Sequence, residues 1–141
     1  MMRDGALERL TDADLRFSPG GWNISLGELF RSLADTQAEY ITSLETLVFE
    51  PTGSQVPDTA VDLTSLRAHF AQLDQQMLSK LRALTEDDLL QQVRRPNQVM
   101  RTVGDQFQIY VEAAMIFMGK LVIYFLAMEK ELPPSIAFYI A

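Results

Sequence analysis

One pattern occurs twice in the chain, and it constrains the fold more than any other feature of the sequence. The segments LERLTDADL at 7–15 and LRALTEDDL at 81–89 match, and each precedes a connector and a hexapeptide, SLGELF at 25–30 or TVGDQF at 102–107. After each hexapeptide, apolar residues recur at steps of three and four, which is typical of helices. The sequence therefore predicts one helical unit written twice.

Both hexapeptides are predicted helix starts. Ser25 and Glu28 have the spacing of a capping box, in which each side chain accepts a hydrogen bond from the other residue's backbone N–H. Thr102 and Asp105 repeat this spacing with a shorter acid. The first capped helix is expected to end near Glu50, and the second near Lys130.

The middle of the chain predicts a loop, another long helix and a short turn. PTGSQVPDTA at 51–60 is expected to be a loop that crosses one end of the bundle. Apolar residues then recur about every 3.5 positions from Val61 to Leu84, as in helices packed side by side. Thr85 is predicted to cap a short acidic turn, and RRPNQVM at 94–100 is predicted to be a connector.

These elements predict an all-α fold of the four-helix-bundle type, with an internal helical-hairpin repeat, in a single domain over residues 1–141. Only MMRDGALERL precedes the first LT turn, so the first helix is expected to be short. A bundle that lacks most of one helix leaves apolar side chains open to water, and such a surface usually recruits a partner. The last helix also has a broad apolar surface, and for both reasons we expect a homodimer.

Composition excludes several classes of function. The chain has no cysteine, which removes disulfides and thiolate chemistry and suits a cytoplasmic protein, and its lone His69 cannot build a multi-histidine metal site. A net charge of -7 disfavours binding to nucleic acid and to anionic lipid. The basic group Arg94, Arg95 and Arg101 is expected to lie in a solvated loop.

No secretion signal or membrane span is expected. The first ten residues lack a basic-then-apolar signal region. The most apolar segment, VEAAMIFMGKLVIYFLAM at 111–128, is interrupted by Glu112 and Lys120, so we interpret it as a buried core helix. Its Met and aromatic side chains are expected to be core or interface.

Taken in order, LTDADL, a proline–glycine connector with Trp22, SLGELFRSLAD and MGKLVIYFLAMEKELPPSIAFYI resemble the DinB-like (YfiT-like) helix-bundle superfamily. The resemblance covers 7–48 and 100–140 well, and the middle by helix pattern. It implies a divalent metal, often nickel or zinc, held by one histidine in the first capped helix and two, four residues apart, in the last. It also implies activities such as thiol-dependent S-transfer or hydrolysis in some members.

The family's ligand positions fall here on Ser32, Ala113 and Phe117, none of which is a histidine. A methyl group and a phenyl ring cannot donate electron pairs to a metal, and one serine is too weak a ligand to replace three imidazoles. We therefore expect no metal and no cofactor at this position.

The candidate pocket near these positions is expected to be formed by residues of several chemical types: Trp22, Ser32, Asp35, Glu112, Phe117 and Lys120. Lys120 shares a helix face with positions 113 and 117, where it is either a cation or nucleophile for a ligand, or a side chain that reaches solvent. One of the two acids Asp35 and Glu112 is expected in a structural ion pair with Lys120 or Arg31, with an acid–base pair as the alternative.

Trp22 is expected to seal one end of the bundle or, as the alternative, to form a ligand lid. His69 is expected to be half-exposed and without a function. The leading hypothesis is a metal-free DinB-like bundle that binds a small ligand or a partner through an apolar pocket or a dimer surface. The alternatives are a transferase-like or hydrolase-like enzyme and a purely structural dimer.

Overall fold

The computed structural model of the protein describes residues 2–52 and 62–140. The α-helices and β-strands within those ranges are α1 Met2–Glu8, α2 Leu26–Thr46, α3 Leu63–Ala83, α4 Glu86–Leu89, β1 Gln92–Arg94, β2 Met100–Thr102, α5 Val103–Ala127 and α6 Pro134–Ile140. The helix α2 packs against both α3 and α5, and the short α1 packs against α3 and α6. The predicted all-α bundle with a short first helix is confirmed.

The two LT turns of the repeat form the same hydrogen bonds. In the first, the backbone N–H and the hydroxyl of Thr11 donate to the Asp14 carboxylate at 2.7 and 2.8 Å. In the second, the same two groups of Thr85 donate to Asp88 at 2.9 and 2.7 Å. The repeat is therefore structural, because each copy orders the chain before a connector in the same way.

The capping boxes recur as well. The Glu28 N–H donates to the Ser25 hydroxyl at 3.2 Å, and the Ser25 N–H donates to the Glu28 carboxylate at 2.8 Å. At α5, the Asp105 N–H donates to Thr102 at 3.0 Å, and the return bond from the Thr102 N–H is longer, at 3.3 Å. Both boxes predicted from the sequence are therefore present, and the return bond of the second is the longer one.

The chain from 92 to 102 departs from the prediction of a connector. It forms an antiparallel hairpin in which Gln92 pairs with Thr102 and Arg94 with Met100. Arg94 also makes a parallel bridge to Val48, so α2 ends at Thr46, earlier than predicted. The bridge from Arg94 to Val48 joins segments that are distant in sequence, which helix periodicity does not indicate, and the hairpin itself was predicted only as part of a connector.

The basic group in this hairpin is also less solvated than predicted. Arg95 is half-buried, its guanidinium lies 4.4 Å from the centroid of the Phe49 ring, and it donates to the Gln106 side chain. A cation over an aromatic face is stabilised by the quadrupole of the ring. Arg95 therefore fastens the hairpin to the bundle.

Three further features differ from the predictions or lie outside the described residues. The helix α6 was not predicted, although its Ile136 is buried in the core. Trp22 does not seal the bundle, because its side chain is fully exposed in the loop after Gly20 and Gly21. Most of the predicted loop at 51–60, and the predicted helix start at Val61, lie outside the described residues.

The surface of α5 is more apolar than predicted. By length and composition alone the helix is apolar enough to cross a membrane, with a mean hydropathy of 1.8 in an 18-residue window. The prediction that no segment has the length and composition of a membrane span is therefore wrong. Only 28% of that window is buried in the bundle. The prediction of a buried core helix is therefore wrong for much of its circumference.

The short α1 is held by an ion cluster. Arg3 is 7% exposed, and its guanidinium donates to Asp74 at 2.6 and 3.1 Å and to Asp4 at 2.6 Å. The Gln37 side chain also donates to Asp74, at 2.9 Å. The guanidinium lies 4.2 Å from the centroid of the Phe70 ring. One charged side chain thereby ties α1 to α3.

We predict that Asp74→Asn destabilises the fold by about 2 kcal/mol, less than a fully stranded buried charge costs, because Asp4 still pairs with Arg3. Burial alone would raise the pKa of Asp74, but the hydrogen bonds from Arg3 and Gln37 outweigh it and lower that pKa. The stabilisation is therefore complete above about pH 4 and is lost as pH falls through the lowered pKa.

Denaturant unfolding from neutral to acidic pH measures this effect. Asp87→Asn, at an exposed position of α4, is the matched control. Equal midpoints for the two variants at neutral pH would contradict the role of the cluster.

Candidate functional site

A depression of about 220 Å³ lies between α2 and α5. Its lining residues come from both helices: Leu29, Ser32, Leu33, Thr36, Ala113, Ile116, Phe117 and Lys120. Residues three or four apart on one helix share a face. The lining residues of α2 therefore share one face of that helix, those of α5 share another, and the two faces meet where the helices pack. The lining is mostly apolar, with two hydroxyls and one ammonium group.

The three positions at which the family resemblance implied metal ligands meet in this depression. Ser32, Ala113 and Phe117 all line it. Phe117 is 6% exposed, and its ring centroid lies 5.5 Å from that of Phe30. Its ring therefore packs into the core at this position.

These residues do not fit a divalent metal. Their side chains offer one hydroxyl oxygen, whereas nickel or zinc requires several imidazole, thiolate or carboxylate donors. In residues 2–52 and 62–140, no group of three or more His, Cys, Asp and Glu side chains is arranged to hold an ion. The depression can instead accept a small apolar group.

Lys120 lines the depression and is exposed, and no acid of the described part of the chain lies within ion-pair distance of it. Glu112 is also exposed, and it accepts a hydrogen bond from the Gln108 side chain at 3.3 Å. The predicted ion pair between Lys120 and an acid of the same chain is therefore absent from the described residues. The two charges stand two turns apart on the same helix.

Two other predicted pocket residues lie elsewhere. Asp35 is half-buried and lines a neighbouring depression of about 300 Å³, together with Glu28 and Arg31. Trp22 lines neither depression. The structure thus brings together Ser32, Phe117 and Lys120 from the predicted set.

Tyr110 lies one turn before Ala113 on α5. Burial, followed by the nearby charge of Asp74, raises the pKa of Tyr110 to about 12. Its hydroxyl therefore stays protonated at neutral pH and does not act as a base. Lys120 is the one titratable side chain among the described lining residues of the depression.

A broad apolar surface of α5 was predicted as part of a dimer contact, but its individual residues were not identified. We call it the outer face of α5, and its exposed side chains are Val111 (38%), Met115 (52%), Ile116 (64%), Ile123 (58%) and Leu126 (60%). One signal for it was present in the sequence, since Ile109, Ile116 and Ile123 stand seven residues apart, the spacing of a helix–helix seam.

Comparisons with known proteins agree with this architecture. The family model described as the DinB superfamily matches residues 2–115. The fold is similar to the crystal structure of a DinB-like protein from Bacillus subtilis, with a TM-score of 0.74 and 19% sequence identity over 94% of this chain and 88% of that one. No curated protein matches the chain. The family match spans most of the sequence, and the protein therefore belongs to the DinB superfamily.

Proposed function

We propose that the protein is a metal-independent binding protein that works as a homodimer through the outer face of α5. The observation that carries this proposal is the exposure of α5, since 28% of its most apolar window is buried. An apolar helix that the rest of its chain leaves uncovered is stabilised by a partner that removes it from water.

The outer face is large enough for such a contact. If each of its five exposed side chains offers about 100 Å² of apolar surface, the face presents on the order of 500 Å² per chain. Monomeric proteins rarely leave a contiguous patch larger than this. Two such faces with their flanking residues approach the roughly 1,200 Å² at which stable interfaces begin.

The depression beside this face is the proposed ligand site. Its volume of about 220 Å³ is below the ~300 Å³ at which the volumes of typical ligand pockets begin. It therefore suits a small apolar molecule. Ile116 belongs to both the depression and the outer face, so a bound partner would also enclose the ligand.

A thiol-dependent transferase or a hydrolase-like enzyme is the alternative. Such chemistry requires an activated nucleophile or a general base. The lining offers Lys120 and two hydroxyls, of which the Thr36 hydroxyl already donates to the Ser32 carbonyl at 2.8 Å. We therefore favour binding over catalysis.

The same proposal places the protein in the cytoplasm, with no nucleic acid or membrane as its partner. The chain has no cysteine, and its net charge of -7 repels phosphate backbones and anionic lipid.

For the metal site, we expect the purified protein to hold no stoichiometric nickel or zinc by elemental analysis. The triple variant Ser32→His, Ala113→His, Phe117→His should bind either ion in calorimetry, because the three positions line one depression. Without metal the variant should be less stable by about 3 kcal/mol, since it loses the buried ring of Phe117. Added zinc should raise its melting temperature. One retained metal per unmodified chain would show that the site assignment is wrong.

For the dimer, we expect light scattering at micromolar concentration to give twice the 16.0 kDa mass of the chain. Ile116→Glu should give a monomer, because it places a charge in the centre of the contact. Leu78→Glu is the matched control, since Leu78 is an exposed apolar residue of α3 (48%). A monomeric unmodified protein, or a dimer unaffected by Ile116→Glu, would overturn the proposal.

A further inference from the structure

We infer that the two copies pair along α5 in antiparallel orientation, with the two-fold axis at Ile116 and with Glu112 of each copy beside Lys120 of the other. This inference rests on the proposed homodimer and adds its geometry and the charge of its ligand site.

The first argument is a symmetry of chemical type along α5. Counted outward from Ile116, residues at equal distances on the two sides match: Ala113 with Gly119 at three, Glu112 with Lys120 at four, and Ile109 with Ile123 at seven. In a two-fold contact, residue i of one copy meets j of the other, and j meets i. Antiparallel pairing about Ile116 therefore joins small residues to small ones, isoleucine to isoleucine, and acid to base.

The second argument is that these residues form one accessible stripe. Steps of three, four and seven bring residues to the same side of a helix. Ile116 and Ile123 are 64% and 58% exposed, and Glu112 and Lys120 are exposed as well. A Cβ built on Gly119 would meet no atom within 4 Å, so the surface there is open to the close approach of another backbone.

The third argument concerns charge. Glu112 and Lys120 are eight residues apart, or about 12 Å along the helix axis, too far for an ion pair within one helix. In parallel pairing each charged residue would lie beside the same residue of the second copy, and like charges repel. Antiparallel pairing instead forms two acid–base contacts per dimer. Electrostatics therefore selects the antiparallel orientation, as charged residues flanking helix seams commonly do.

This geometry determines which ligand the depression accepts. Lys120 lines the depression, and the second copy's Glu112 would neutralise it there. The depression would then contain no unpaired cation to bind a small anion. The ligand class that fits is a small uncharged apolar molecule, held against Leu29, Leu33 and Phe117.

Cysteine cross-linking tests the axis directly, because the natural chain contains no cysteine. Under mild oxidation with diamide, Ile116→Cys should form a disulfide-linked dimer, since position 116 meets its own copy at the axis. Ile123→Cys should not, because its two copies are about 21 Å apart along antiparallel helices, beyond the Cα separation of less than about 7 Å that a disulfide allows. A mixture of Ile109→Cys and Ile123→Cys chains should cross-link as a heterodimer.

A charge exchange tests the ion pairs. Lys120→Glu and Glu112→Lys should each weaken the dimer about ten-fold or more, because each creates two like-charge contacts, where ~1.4 kcal/mol corresponds to ten-fold. The double variant Glu112→Lys, Lys120→Glu should return the dissociation constant to within about three-fold of the unmodified value. Both residues are exposed, so these variants keep the fold.

The outcomes separate this inference from the proposed function. A dimer that Ile116→Glu disrupts, but in which Ile123→Cys cross-links to itself, is parallel and overturns the inference alone. Single charge variants that leave the dimer unchanged also overturn it. A monomer that floats with phosphatidylcholine vesicles shows that lipid covers α5, and this overturns both.

Discussion

Phe30 lies where the three long helices of the bundle meet. It is fully buried on α2, and its ring centroid is 6.5 Å from that of Phe70 on α3 and 5.5 Å from that of Phe117 on α5. Aromatic side chains bury large areas and pack best in such tilted or edge-on arrangements. This contact sets α3 and α5 on two sides of α2. The short α1 packs against α3 and α6, and the outer face of α5 remains in water.

The same aromatic contact determines the chemistry between α2 and α5. Phe117 occupies a position at which the family resemblance implied a metal ligand, and its ring packs on Phe30. Packed apolar groups stabilise a bundle, whereas a polar site in its interior requires every donor to be satisfied. Beside Phe117, Ser32 and Lys120 line a shallow depression at the edge of the core. The residues that can bind a ligand or a partner therefore lie on the surface of α5, which forms one wall of that depression.

The sequence predicted features that depend on local bonds and missed those that depend on distant ones. The capping boxes and the Thr–Asp turns use partners three residues apart, so their spacing is visible in the chain. Helical spacing likewise placed Lys120 on the same helix face as Phe117, whereas Ser32 was placed near them by the family resemblance. The attachment of the hairpin at 92–102 to the bundle depends on the contacts of Arg95 with Phe49 and Gln106, and α6 depends on burying Ile136. No local pattern encodes those contacts, and the same applies to the exposure of Trp22.

The sequence indicated that α5 is broadly apolar, but not which of its residues face the core and which are exposed, because the helix is apolar on nearly all sides. Composition alone does not distinguish a core helix, a membrane span and an interface, since each removes apolar surface from water. The two charges on the stripe do distinguish them. A bilayer would have to accommodate Glu112 and Lys120 near its middle, at a cost of about 3 kcal/mol for each charge at the helix centre. A bundle interior would require both to be paired within the chain, and neither has an ion-pair partner in the described residues. A second copy in the proposed antiparallel orientation would place an opposite charge beside each of these two residues and would cover the isoleucines, so it would suit both the apolar and the charged residues of this surface.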